Sequence, residues 1–142
     1  MAEEEPVINH MLSPNEMLNK ALILRGYTAR RLRRVKPKTN VFRFKHHFGV
    51  SPCTAARVYS DLQSTADEEY KMEGGERDLK YFVMALYYIR KYPTEEDLSA
   101  SFDFSSKWAR EKTWEAIKKI WHLKHKMIWW KTIKWKVGGE SE

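Results

Sequence analysis

Six bases, Arg30, Arg31, Arg33, Arg34, Lys36 and Lys38, fall within nine residues that hold no acid. Such a run has its charge free to neutralise phosphates; it also suits a nuclear import signal or an arm lying in the minor groove of DNA. It belongs to a longer stretch, residues 20–60, with eleven Lys or Arg and no Asp or Glu. Solvated faces normally mix signs to form local ion pairs, so forty-one residues without an acid point to a polyanionic partner, double-stranded DNA. Other residue types capable of chemistry are less well arranged. His46 and His47 are adjacent, so their side chains diverge, and His122 and His125 share a helix face with no cysteine cluster beside them. Neither a metal nor another cofactor is expected. Cys53 lies near His46 and His47 in sequence, but nothing suggests an oxyanion hole or a third orienting group. Glu95, Glu96 and Asp97 are explained by the favourable acidic charge at a helix start. The expectation is a non-enzymatic chain.

Reading bases in the major groove takes two short helices joined by a tight turn. With Gly49 as the turn residue that tolerates positive φ, the buried positions fall at Phe44, Phe48, Val50, Ala55 and Val58, all apolar. Ser51 followed by Pro52 starts the second helix. Its exposed positions are then Cys53, Thr54, Arg57 and Ser60, with Ser51 at the positively polarised end, suited to phosphate. Arg57 is the best base reader, because its fork can bond two acceptors on a guanine edge. One departure is Lys45, where a small residue usually lets the helices approach. The same template over residues 95–114 puts Asp103 at the turn and Leu98, Phe102, Phe104 and Ala109 inside, with Lys112 where an apolar residue belongs. Ser106, Lys107, Arg110 and Glu111 would be exposed there.

The elements that must hold these residues follow from caps, periods and charge. Net charge over the 142 residues is +7, and it is segregated: residues 61–78 reverse the sign, with seven acids against Lys71 and Arg77. Residues 107–136 return to ten bases against Glu111 and Glu115. Ser13, Pro14 and Glu16 form a capping box with proline at the first helical position, so a helix begins there and stops near Gly26. The bases at 30–38 end at Pro37 and read as an arm, extended at its end, with Thr39 or Asn40 capping the next helix. Leu79, Phe82, Val83, Leu86, Ile89 and Tyr92 recur at helical spacing up to Pro93, and Thr94 with Asp97 caps another helix. Ser105 starts a long helix with a stripe of Trp114, Ile117, Trp121 and Ile128, its tryptophans read as core. In the tail, Ile133, Trp135 and Val137 alternate with polar residues at a strand period, and Trp129, Trp130 and Trp135 suit contact with another surface.

The resulting expectation is an all-α chain of two small helical units, each with a helix-turn-helix, joined by an acidic linker. An acidic N-terminus occupies 1–12, and the first unit 13–63 includes the arm at 30–38 and the helix-turn-helix at 40–63. The linker is 64–77, the second unit 78–128 and an aromatic, basic tail 129–142. The uncharged apolar stretch Tyr81 to Ile89 is nine residues against the ~20 apolar residues of a membrane span, so no membrane partner is expected. An acidic N-terminus and a lone cysteine lead to an intracellular, reducing compartment, and the basic run to the nucleus.

The string VFRFKHHFGVSP, then LKYFVMALYYIRKYPTEEDL and SSKWAREKTWEAIKKI, resembles the N-terminal region of eukaryotic DDE-superfamily transposases and transposase-like proteins of the Harbinger type. The resemblance runs from about Leu24 to Ile128. In that family the region precedes an RNase H-like catalytic domain with a metal-binding acidic triad and is taken to recognise transposon DNA. Nothing here matches the triad. The resemblance therefore implies a DNA-binding module without transposition chemistry; the alternative is a protein-interaction adaptor whose aromatic C-terminal helix and tail pack on a helical partner or a second copy.

Overall fold

The computed structural model describes the backbone of residues 11–138, and within them the side chains of all but 106 and 124–138. Among these residues every regular element is helical: α1 (Pro14–Arg25), α2 (Ala29–Arg33), α3 (Pro37–Phe48), α4 (Pro52–Ser64), a 3-10 turn (Glu68–Tyr70), α5 (Glu76–Lys91), α6 (Glu95–Phe102) and α7 (Ser106–Gly138). The fold class is all-α, and no described helix is long and apolar enough to cross a membrane.

Local chemistry sets the starts and stops. At α1 the Ser13 hydroxyl accepts from Glu16 N (3.1 Å) while the Glu16 carboxylate accepts from Ser13 N (2.9 Å), and Gly26 ends the helix at φ 120. The basic run is extended only at its end, at Lys36; its first part is helical. Thr28 Oγ1 accepts from Arg31 N and starts α2, which buries Leu32 against the core and leaves only Arg34 to Lys36 as a connection. Pro37 does not end an element either; it is the first residue of α3, where its missing N–H costs nothing. Asn40, expected as a cap, lies a turn inside that helix and is buried. Its Nδ2 donates to Leu32 O (2.8 Å) and its Oδ1 accepts from Arg43 (3.1 Å), pinning α2 onto α3.

Gly49 closes α3 in the left-handed region (φ 79), and Ser51 caps α4 through Thr54 N. A Cβ at Gly49 would also sit 3.2 Å from Cδ of the exposed Arg90 side chain, which would have to give slightly, so the need for glycine here is chiefly its φ. Of the five positions expected inside, Phe44, Phe48 and Ala55 are buried, while Val50 and Val58 are only half-buried. Ala56, Tyr59 and Leu62 complete the inner face of α4, which packs on α1.

The acidic stretch 64–77 does not separate two cores. Met72 within it is buried and donates its N–H to Leu62 O (3.0 Å), and the Tyr70 ring stacks on His122 at 3.8 Å. One apolar cluster runs from Met17 on α1 to Ala116 on α7, with Phe82, Val83, Met84 and Ala85 of α5 at its centre. The α6 cap at Thr94 and the turn at Asp103 (φ 52) form as expected, and Leu98, Phe102 and Ala109 are buried. On α7 the buried stripe is Ala109, Thr113 and Ala116, small residues that let this helix lie close to α5 and α6. Trp114 and Trp121, expected in the core, are 45% and 65% exposed because their stripe lies to one side of that contact. Lys112 occupies its expected inward position half-buried, its Nζ over the Tyr81 and Trp108 rings. The strand-period tail is helical too: residues 129–138 continue α7, whose backbone hydrogen bonds need no neighbouring strand.

Candidate functional site

The acid-free stretch runs from the second half of α1 through α2, α3 and the Gly49 turn into α4. Arg30, Arg31, Arg33, Arg34, Lys36 and Lys38 are all exposed, and none makes an ion pair among the described residues. Four of them ride on α2 and its C-cap, held in place by Leu32 and Asn40, so the charge is presented from a fixed helix rather than a free strand. On α4, Cys53, Thr54 and Arg57 are exposed, as expected. Ser51 and Ser60 are half-buried and partly committed. The Ser51 hydroxyl accepts from Thr54 N and donates to Thr54 Oγ1, and Ser60 Oγ lies 3.1 Å from Met11 Sδ.

A second group of cations was not legible beforehand. The last turns of α1, α3 and α5 meet, each carrying bases: Arg25; Lys45, His46 and His47; Arg90 and Lys91. Arg31 and Arg43 both lie over the Tyr27 ring, 4.6 and 5.0 Å from its centroid, and Arg25 over that of Tyr87 at 5.0 Å. Tyr27 Oη is 3.0 Å from His47 Nε2, and His46 receives Arg90 Nε at its carbonyl (3.5 Å) and Lys91 Nζ at its ring (3.2 Å). Burial, then Arg25, His46, Lys91 and Arg43, lower the pKa of His47 to about 4, so its ring is neutral at pH 7. His47 Nδ1 and Arg25 Nε are buried without hydrogen-bond partners among the described residues. The signal available for this junction was the placement of bases in terminal helical turns, where they complement the negative end of the dipole.

The residues proposed from the second repeat are less free. Lys107 is exposed, the side chain of Ser106 lies outside the described residues, and Arg110 pairs with Glu95 at 2.9 Å. His122, raised as a metal candidate, is occupied by Asp67 (3.1 Å) and the Tyr70 ring. Among the described residues no three His, Cys, Asp or Glu come close enough to share a metal ion.

Beside α4 lies a groove of about 810 Å3 walled by α4, the end of α5 and the middle of α7. Val58, Leu86, Ile89, Ile117 and Trp121 are among the apolar residues that line it. It includes two members of the tryptophan stripe, Ile117 and Trp121, which explains where that stripe faces.

No family model, no curated protein and no solved structure matches this chain.

Proposed function

We propose that the chain is a non-catalytic, sequence-specific double-stranded DNA-binding module in which α4 lies in the major groove while α2 and the start of α3 neutralise phosphates. The observation that carries this reading is the set of six exposed bases on and beside a pinned helix, without an ion pair among the described residues, followed after α3 by an α4 that exposes Arg57, Cys53 and Thr54. Minor-groove entry drops out of the proposal, because a five-residue helix docked by Leu32 is not an extended arm. Derivation from the DNA-recognising region of a Harbinger-type transposase, and action in the nucleus, belong to the same proposal. A transposon terminus is the first duplex to try.

The test is the salt dependence of duplex binding. Each phosphate contact contributes about 0.9 to the slope of log affinity against log salt, so if three or four of the six bases bind, replacing all six by Gln lowers the slope by roughly 3 to 4. The ranking of preferred sites stays intact. Arg57→Ala costs about 1 to 3 kcal/mol on the preferred site and little on random duplex. A slope unchanged by the six substitutions would remove the phosphate role, and equal losses on both duplexes would remove Arg57 from base reading.

A further inference from the structure

We propose that the groove between α4, α5 and α7 receives an amphipathic helix from a partner protein, its apolar anchors seated against Ile89 and Val58 and a carboxylate on its flank paired with Arg90. The groove shares Thr54 with the DNA-reading face of α4 but uses none of the six phosphate-binding candidates. Its first support is the distribution of apolar surface. Ile89 is 47% exposed and Tyr92, which also lines the groove, is 78% exposed, although both continue the sequence period that fills the core with Phe82 and Leu86. A contiguous apolar trough left in water marks a contact surface rather than a solubility feature.

The second support is size and shape. At about 810 Å3 the groove is neither enclosed nor flat and is walled by three helices, which suits side chains at i, i+4 and i+7 of a helix, a span of about 10 Å. Few polar groups converge in it, so it lacks the orienting set a small polar ligand needs. The third support is charge. Among the described residues lining the groove Arg90 is the one charged side chain, and Lys91 follows it; neither has a carboxylate partner among the described residues. A nucleic acid would answer that charge but leave the apolar walls wet. A helix with Leu-type anchors and acidic neighbours answers both.

The probe is a fluorescein-labelled helical peptide of about four turns with Leu at i, i+4 and i+7 and Glu beside them, titrated with the full chain and read by anisotropy. A second peptide carries Lys for each Glu. Saturable binding of the acidic peptide is expected, with the basic one about tenfold weaker or more. Ile89→Ser weakens the acidic peptide at least about tenfold, whereas Ile23→Ser, equally exposed at 47% on α1 outside the groove, leaves it unchanged. Arg90→Glu reverses the preference between the two peptides, an outcome that unfolding cannot imitate. Equal binding of both peptides, or none, overturns the proposal. So does a dimer dissolved by Ile89→Ser, which would give the groove to a second copy, and so does binding that appears only after residues 1–10 are removed.

Discussion

Lowering the pH from 7 to 5 should destabilise the fold through His47. Its folded pKa is about 4 against an ordinary 6.5, with burial the first cause and Arg25 the next. The depressed value means that, below pH 6.5, the unfolded chain takes up a proton the native ring refuses. Stability is therefore full above that pH and is lost progressively down to about pH 4. At about 1.4 kcal/mol per pKa unit, the step from pH 7 to 5 would cost about 2 kcal/mol for a fully enclosed ring. His47 is only half-buried, so solvent screening reduces this to about 1 kcal/mol. Urea unfolding of the native chain and of His47→Gln at both pH values measures it, because the other histidines are common to both proteins. The native chain should lose about 1 kcal/mol more than the variant. Identical losses would show that neither burial nor the neighbouring charges hold this ring neutral in the folded state.

Three further substitutions test the packing. Gly49→Ala should cost about 1 to 2 kcal/mol in chemical denaturation, since φ 79 strains an L-residue and the new Cβ meets Arg90 Cδ at 3.2 Å. Tyr59→Phe should be neutral or stabilise by up to about 1 kcal/mol, because the buried hydroxyl has no hydrogen-bond partner; burial and Asp78 already push its phenol to ionise only at strongly alkaline pH. Asn40→Ala removes the bond to Leu32 O and should cost about 1 to 3 kcal/mol, and it should also speed tryptic cleavage after Arg30 to Arg34 as α2 detaches.

The helix ends were legible because each is written in a few adjacent residues: the Ser13 capping box, Gly49 before Ser51-Pro52, Thr94 before three acids. What failed needed information from across the fold. Proline both ends helices and begins them, and at Pro37 only the docking of Leu32 and Asn40 decides between the two. A five-residue helix is too short to show a period. Trp114 and Trp121 suggested core by their size, whereas the close approach of α7 to its neighbours selected Ala109, Thr113 and Ala116. Met72 sits alone among acids, without a periodic partner to reveal that it is buried. In the candidate site the exposed residues of α4 followed from one turn residue, but the cationic junction depends on three helix ends separated by up to 66 residues, from Arg25 to Lys91.

That junction makes salt act in two directions on this molecule. Arg25, Arg43, Arg90 and Lys91 crowd together with no carboxylate in an ion pair with any of them among the described residues, so added electrolyte relieves their mutual repulsion and firms the fold. The same electrolyte competes with any polyanion for the bases of α2. At low ionic strength the free chain is thus at its loosest when its attraction for such a partner is greatest. A bound polyanion would then serve as the missing counter-charge, tightening the native state as it docks.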